Sequence, residues 1–185
     1  MRATLLLVSL LAAQGPLSAR PAEIILLRHA EKPADEKNPN LSARGEERAK
    51  ALPSLVTNLP VLAGNGLPSA VFAARPTTHS HSRRAEETVA PLAKALRLPV
   101  ETPFSAPDAA RLARDVLADH AFDGKTVVIC WVHDYLPQLA RALGVKHPPD
   151  WGGHTFDRVW VITYEGDRAV MQNLPQQLLA GDSSK

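Results

Sequence analysis

The sequence predicts an α/β fold: a three-layer α/β/α sandwich on a mostly parallel sheet, with an antiparallel hairpin at one edge. Three observations carry this expectation. Two short runs, Ile24 to Leu27 and Thr126 to Trp131, are apolar without alternation, as strands buried on both faces are. Segments with apolar residues at helical spacing separate the strand patterns, so the two kinds alternate along the chain. Near the end, Arg158 to Tyr164 and Arg168 to Gln172 flank Glu165-Gly166-Asp167, the signal of a tight hairpin.

The first element lies before the fold. Met1-Arg2 is a short basic start, Ala3 to Ala13 is an apolar run, and Leu17-Ser18-Ala19 offers a cleavage point after Ala19. Residues 1–19 therefore read as a secretory signal, too short to be a permanent membrane span, and they predict a periplasmic or secreted protein. The rival reading, a first core strand or helix, lacks any amphipathic period or cap. A single domain is then expected over 20–180, with a polar, frayed tail over 181–185.

Glu23 to Arg28 is the first strand. Leu41-Ser42 opens a helix with Ala49, Leu52, Val56 and Leu59 on one face, which Pro53 should kink or split. A turn region over 62–68 leads to a short buried strand, Ala70 to Ala74. The next helix starts near Arg84, with Val89, Leu92 and Leu96 on one face and Glu86-Glu87 in a first turn that favours acidic residues. Pro99 to Glu101 is a short strand. Pro107-Asp108 begins a helix carrying Ala109, Leu112, Ala113, Val116 and Leu117. The central strand, Thr126 to Trp131, is followed by a helix with Leu136, Leu139, Ala140 and Leu143 that Gly144 stops.

Composition sets bounds on function. A net charge of +2 gives no ground for nucleic acid or an anionic membrane as partner. Cys130 is the only cysteine, so no intrachain disulfide forms, and its place inside an apolar strand reads as packing.

The chemistry lies just past the strands. The first ends in Arg28-His29, the second runs through Arg75 to His79, His81, Arg83 and Arg84, and the central one ends in Val132-His133-Asp134. In a parallel sheet these carboxyl ends share one edge, where α/β folds place their ligands. Arginines hold phosphate oxygens in bidentate fashion, helix N-termini add N–H donors, and a neutral imidazole can attack phosphorus. None of this needs a metal or a cofactor. His79-Ser80-His81 suggests a metal pair, but the surrounding arginines argue against one, so these histidines read as loop residues or substrate contacts. Arg75 reads equally as a salt bridge or a phosphate contact. Trp131 and Trp151 read as core or as the mouth of the pocket.

These segments resemble the histidine phosphatase superfamily, the phosphoglycerate-mutase-like fold. Leu27-Arg28-His29-Ala30-Glu31-Lys32 is similar to the family's Arg-His signature. Leu41-Ser42-Ala43-Arg44-Gly45, Arg84-Ala85-Glu86-Glu87-Thr88 and Val128 to His133 resemble three further family segments in the right order. The resemblance spans nearly all of 23–172. It implies a phosphomonoester hydrolase with His29 as the phosphohistidine and Arg28, Arg84 and His133 as the phosphate pocket, Arg83 being the fallback for Arg84. The implied partner is a small phosphorylated substrate or a phosphorylated envelope component.

One departure matters. Mutase-type members carry a glutamate acid where this chain has Phe104-Ser105-Ala106-Pro107-Asp108. The leaving group still needs a proton, and Asp134, Glu31 and Asp108 are the candidates. Asp134 resembles the His-Asp pair of the acid-phosphatase branch, yet it reads equally as the N-cap of the helix that follows. A phosphomutase and a non-catalytic phospho-ligand binder are the alternative functions.

Overall fold

The computed structural model describes residues 19–35, 37–58 and 65–184. All but the last residue of the expected signal segment, Leu59 of the first helical stripe and the start of the 62–68 turn lie outside these. The elements run β1 (Glu23–Arg28), α1 (Ala43–Asn58), β2 (Ala70–Ala73), α2 (Arg84–Leu96), β3 (Val100–Glu101), α3 (Ala109–Ala118), β4 (Thr126–Trp131), α4 (Leu136–Ala142), β5 (Arg158–Glu165) and β6 (Arg168–Pro175).

The sheet has the order β3-β2-β4-β1-β5-β6. The first four strands in that order are mutually parallel, and β5 and β6 are antiparallel to their neighbours. The expected α/β sandwich with an antiparallel edge hairpin is therefore the observed one. Right-handed crossovers explain the layers. The path from β1 through β2 to β3 moves one way across the sheet, and α1 packs on α2 along it. The return from β3 to β4 reverses direction and places α3 on the other face, where α4 joins it.

The uninterrupted apolar runs are explained by position. β1 and β4 lie side by side in the middle of the sheet, and every residue of both is buried. Each Leu or Ile removed from water there contributes about 1.5–3 kcal/mol. Cys130 is fully buried, and burial pushes its thiol up, which keeps it inert.

Three expectations need correction. Pro53 neither splits nor ends α1, which runs through it, because Leu52 and Val56 on either side are anchored in the core. Short 3₁₀ turns precede or follow helices at 106–108, 120–122 and 133–135, where the sequence suggested direct helix starts or loop. The tail is not frayed as far as Asp182: that side chain is buried against Arg48 and accepts the backbone N–H groups of Leu178 and Leu179, while Ser183 N–H donates to Asp157. Gly166 supplies the positive φ of +56° that the β5–β6 turn requires.

Candidate active site

Register alone assembles the site. Arg28 is the pairing partner of Trp131 across β1 and β4, and Ala73 that of Cys130 across β2 and β4. His29, Ala74 and Val132 consequently leave the sheet side by side. The backbone holds them there: His29 N–H donates to Trp131 at 3.1 Å and Ala74 N–H to Cys130 at 3.2 Å. Arg75 continues outward, paired through its N–H to Phe104.

His29 is buried, and its Nδ1 lies 2.7 Å from the carbonyl oxygen of Ala30. A carbonyl only accepts, so Nδ1 carries the proton and the lone pair sits on Nε2. Burial holds the ring neutral, with its pKa pushed down to about 4. The Ala30 contact opposes that shift, and the charges of Arg28, Arg84 and His133 reinforce it. A neutral imidazole with its free lone pair fixed on one nitrogen is a nucleophile ready at ordinary pH.

Arg28 is buried beneath the loop over 150–157. Its Nη1 donates to the carbonyls of Gly152 at 3.2 Å and Thr155 at 3.0 Å, and its Cζ lies 3.9 Å from the centre of the Phe156 ring. Trp151 anchors that loop by donating to the same Thr155 carbonyl and by packing on Trp160 of β5. Burial lowers the Arg28 pKa to about 10, against the opposing charges of Asp134 and Glu31, and the guanidinium stays charged. Phe156 also approaches the His29 ring, centroid to centroid 6.0 Å. Sequence reading missed it, since an aromatic in a Gly-containing loop carries no periodic signal.

Arg84 opens α2 and donates to the carbonyls of Asn40, at 3.1 Å, and Asn38. Its charge bears on His29, and Arg83, the fallback, is exposed. Thr88, one turn on, explains the Thr of the Arg84-Ala85-Glu86-Glu87-Thr88 segment. Its hydroxyl accepts the Ala30 N–H at 2.8 Å and donates to the Arg84 carbonyl at 2.6 Å, tying α2 to the peptide that orients His29.

His133 sits on the 3₁₀ turn after β4, with Nε2 3.3 Å from Asp134. Burial and the Arg28 charge lower its pKa, Asp134 works the other way, and Lys32 and His154 add smaller downward effects. The His133 Nδ1 and the Arg28 Nε are both buried without a hydrogen-bond partner. Asp134 is 70% exposed. It caps nothing: α4 begins after Tyr135 and has no side-chain cap.

The other two acid candidates are occupied. Glu31 accepts from Arg48 at 2.8 to 3.1 Å and from Arg44 at 3.3 Å. Burial alone would raise its pKa, but these cations pull it below the usual range, and it stays a carboxylate. Asp108 accepts from the Ser105 hydroxyl at 2.6 Å and pairs with Arg111, which lowers its pKa as well. Both carboxylates are engaged by these partners.

A cleft of about 420 Å³ opens in front of His29. Arg75, Thr77, His79, Ser80, Ser105 and Tyr135 line it, with Val132 at its floor. Of the expected site residues only His29 faces this cleft directly. Arg28 and Arg84 do not line it, and His133 and Asp134 fall in sequence between the two lining residues Val132 and Tyr135. Trp131 and Trp151 are core, not mouth. Among the described residues no three His, Cys, Asp or Glu side chains converge in a way that could hold a metal ion. No described helix is long and apolar enough to cross a membrane.

No family model and no curated protein matches the sequence. Solved structures do match the fold. A mycobacterial glucosyl-3-phosphoglycerate phosphatase in complex with inorganic phosphate superposes with a TM-score of 0.54 at 15% identity, covering 85% of this chain and all of that one. The protein histidine phosphatase SixA, complexed with tungstate, gives 0.55 at 12% identity over 83% of this chain and 97% of its own. Phosphoserine phosphatase from Entamoeba histolytica, holding phosphoserine, gives 0.51 at 12% identity over 85% and 98%. At these identities the likeness establishes architecture alone: the chain carries the phosphoglycerate-mutase-like fold.

Proposed function

We propose that this fold serves here as a phosphomonoester hydrolase working through a phosphohistidine on His29. The observation that carries the proposal is the His29 ring itself. It is buried, neutral, proton-locked on Nδ1 and surrounded by the cations Arg28 and Arg84. The neighbours that share the fold include phosphatases, two of them holding phosphate or its analogue tungstate, which supports the same reading.

In the first step the His29 Nε2 lone pair attacks phosphorus. A P–N bond forms as the bond to the leaving oxygen breaks, and that oxygen takes a proton. We assign the donor to Asp134 because its carboxylate lies 3.3 Å from the His133 ring, whereas Glu31 and Asp108 are engaged by Arg48 and Ser105. Arg28, Arg84 and His133 hold the equatorial oxygens as charge redistributes. Water then attacks phosphorus and gives its proton to Asp134 while the P–N bond breaks, which returns the electron pair to Nε2. No step calls for a metal or a cofactor. The reading includes export directed by residues 1–19, on the strength of their basic start and apolar run. The substrate is a small phosphorylated compound or a phosphorylated envelope component.

The experiment is incubation with a generic phosphomonoester in chelator, followed by acid-labile phosphoenzyme trapping. Free phosphate and a phosphoenzyme absent from His29→Ala are the expected results. Full hydrolysis by His29→Ala, or loss of activity in chelator, overturns the mechanism. An isomerised product without free phosphate makes the protein a mutase, and binding without turnover makes it a binder. For export, a mature chain starting at Arg20 outside the cytoplasm is expected, and a cytoplasmic chain retaining Met1 refutes it.

A further inference from the structure

The lining of the cleft that holds His29 is chemically one-sided. The turn between Arg75 and Ser82 is internally fixed: Thr77 N–H donates to Ser80, and the Thr77 hydroxyl accepts the N–H groups of His79 and Ser80. This brings Arg75 and His79 to the cleft together with the hydroxyls of Thr77, Ser80, Ser82 and Ser105. No Asp or Glu lines the cleft. The Arg75 guanidinium makes no ion pair or hydrogen bond with the described residues, although its backbone is pinned on both sides, by Phe104 and by the bridge to Ser105. The nearest acid in sequence to that bridge, Asp108, is already committed to Ser105 and Arg111.

Arg28 and Arg84 differ from Arg75 in this respect. Both are engaged with backbone carbonyls and sit around His29, where the phosphoryl group must lie. Arg75, an exposed residue, lines the same cleft as His29, whereas Arg28 and Arg84 do not line it. A fixed backbone that presents an unmatched guanidinium and a histidine across a cleft of metabolite size is built to meet a second negative charge.

Resting on the hydrolase reading, we propose that the substrate is a small phosphomonoester whose leaving group carries its own anionic group, and that Arg75 is the residue that selects it. Arg75 grips that group in bidentate fashion, with the His79 ring and the Ser80 hydroxyl as further donors. The selection acts on the leaving group and takes no part in the chemistry at phosphorus.

Matched esters test this: phenyl phosphate against 4-carboxyphenyl phosphate, and glycol phosphate against phosphoglycolate. The carboxylate member of each pair is expected to show kcat/KM higher by roughly tenfold or more, the scale of one charge-assisted contact. Arg75→Gln is expected to bring both ratios close to one, and Arg75→Lys to retain part of the preference. Rising salt should shrink the ratio in the native enzyme. Equal kcat/KM within each pair, or a preference untouched by Arg75→Gln, overturns the inference and leaves hydrolysis through His29 standing. Failure to hydrolyse any ester overturns the catalytic reading and this inference with it.

Discussion

At the scale of single residues, the pH behaviour of the proposed nucleophile is the sharpest consequence. The His29 pKa is pushed down to about 4 by burial. The ring is therefore charged, and useless as a nucleophile, only below that value. In the free enzyme, kcat/KM should show no His29 limb between pH 7 and 5 and should fall below about pH 4, which a pH–rate profile at constant ionic strength checks. Stability should follow the same sign. The unfolded histidine, with an ordinary pKa, binds a proton that the folded one refuses, so stability attributable to His29 declines as pH falls from about 6.5 toward 4. Phe156 makes a second prediction. It stacks on the buried Arg28, and Phe156→Leu keeps the bulk and loses the π face. Inorganic phosphate should bind about tenfold more weakly, as seen by calorimetry, in line with a ~1–2 kcal/mol cation–π contact. Arg28, His29 and His133 were legible because each ends a recognisable strand. Phe156 was not, because its loop reaches the site through tertiary folding from beyond α4.

Among the elements, the packing of α1 on the turn after β1 is governed by one glycine. A Cβ on Gly45 would lie 2.4 Å from the Glu31 carbonyl oxygen, a backbone atom that has no room to move. The same turn is stitched to the helix start: Ser42 N–H donates to that carbonyl at 2.9 Å, and the Ser42 hydroxyl accepts from Gly45 N–H at 3.1 Å. Gly45→Ala should cost about 1–3 kcal/mol, visible as a lower midpoint in urea with an unchanged slope. The existence and order of the helices were readable from apolar spacing. Their starts were less so, since the 3₁₀ turns at 106–108 and 133–135 use the same residue types as helix caps. That ambiguity is why Asp134 read equally as a cap and an acid; the geometry removes the cap reading.

Taken whole, the molecule is closed by a charge network that no local pattern announces. Arg48 on α1 is 3% exposed and bridges Glu31, after β1, to Asp182, near the end of the chain, at 2.8 Å each. Its Nη1 also reaches the Gln176 side chain. The Arg48 bond pulls the Asp182 pKa to about 2. This stabilisation is fully present above the ordinary aspartate range and is lost as pH falls through about 2. Asp182→Asn should destabilise the fold by about 3 kcal/mol at neutral pH and flatten its acid dependence, as measured by denaturant unfolding across pH. In sequence the three residues are 17 and 134 positions apart, too far for any periodicity to join them. The strand order has a related consequence in time. β1 is the first strand among the described residues, yet both of its partners, β4 and β5, lie about a hundred residues or more downstream. During synthesis His29 emerges early but has no sheet edge to stand on until the last third of the chain is made. Contacts of this span make folding slow, and they make activity an all-or-nothing property of the finished chain.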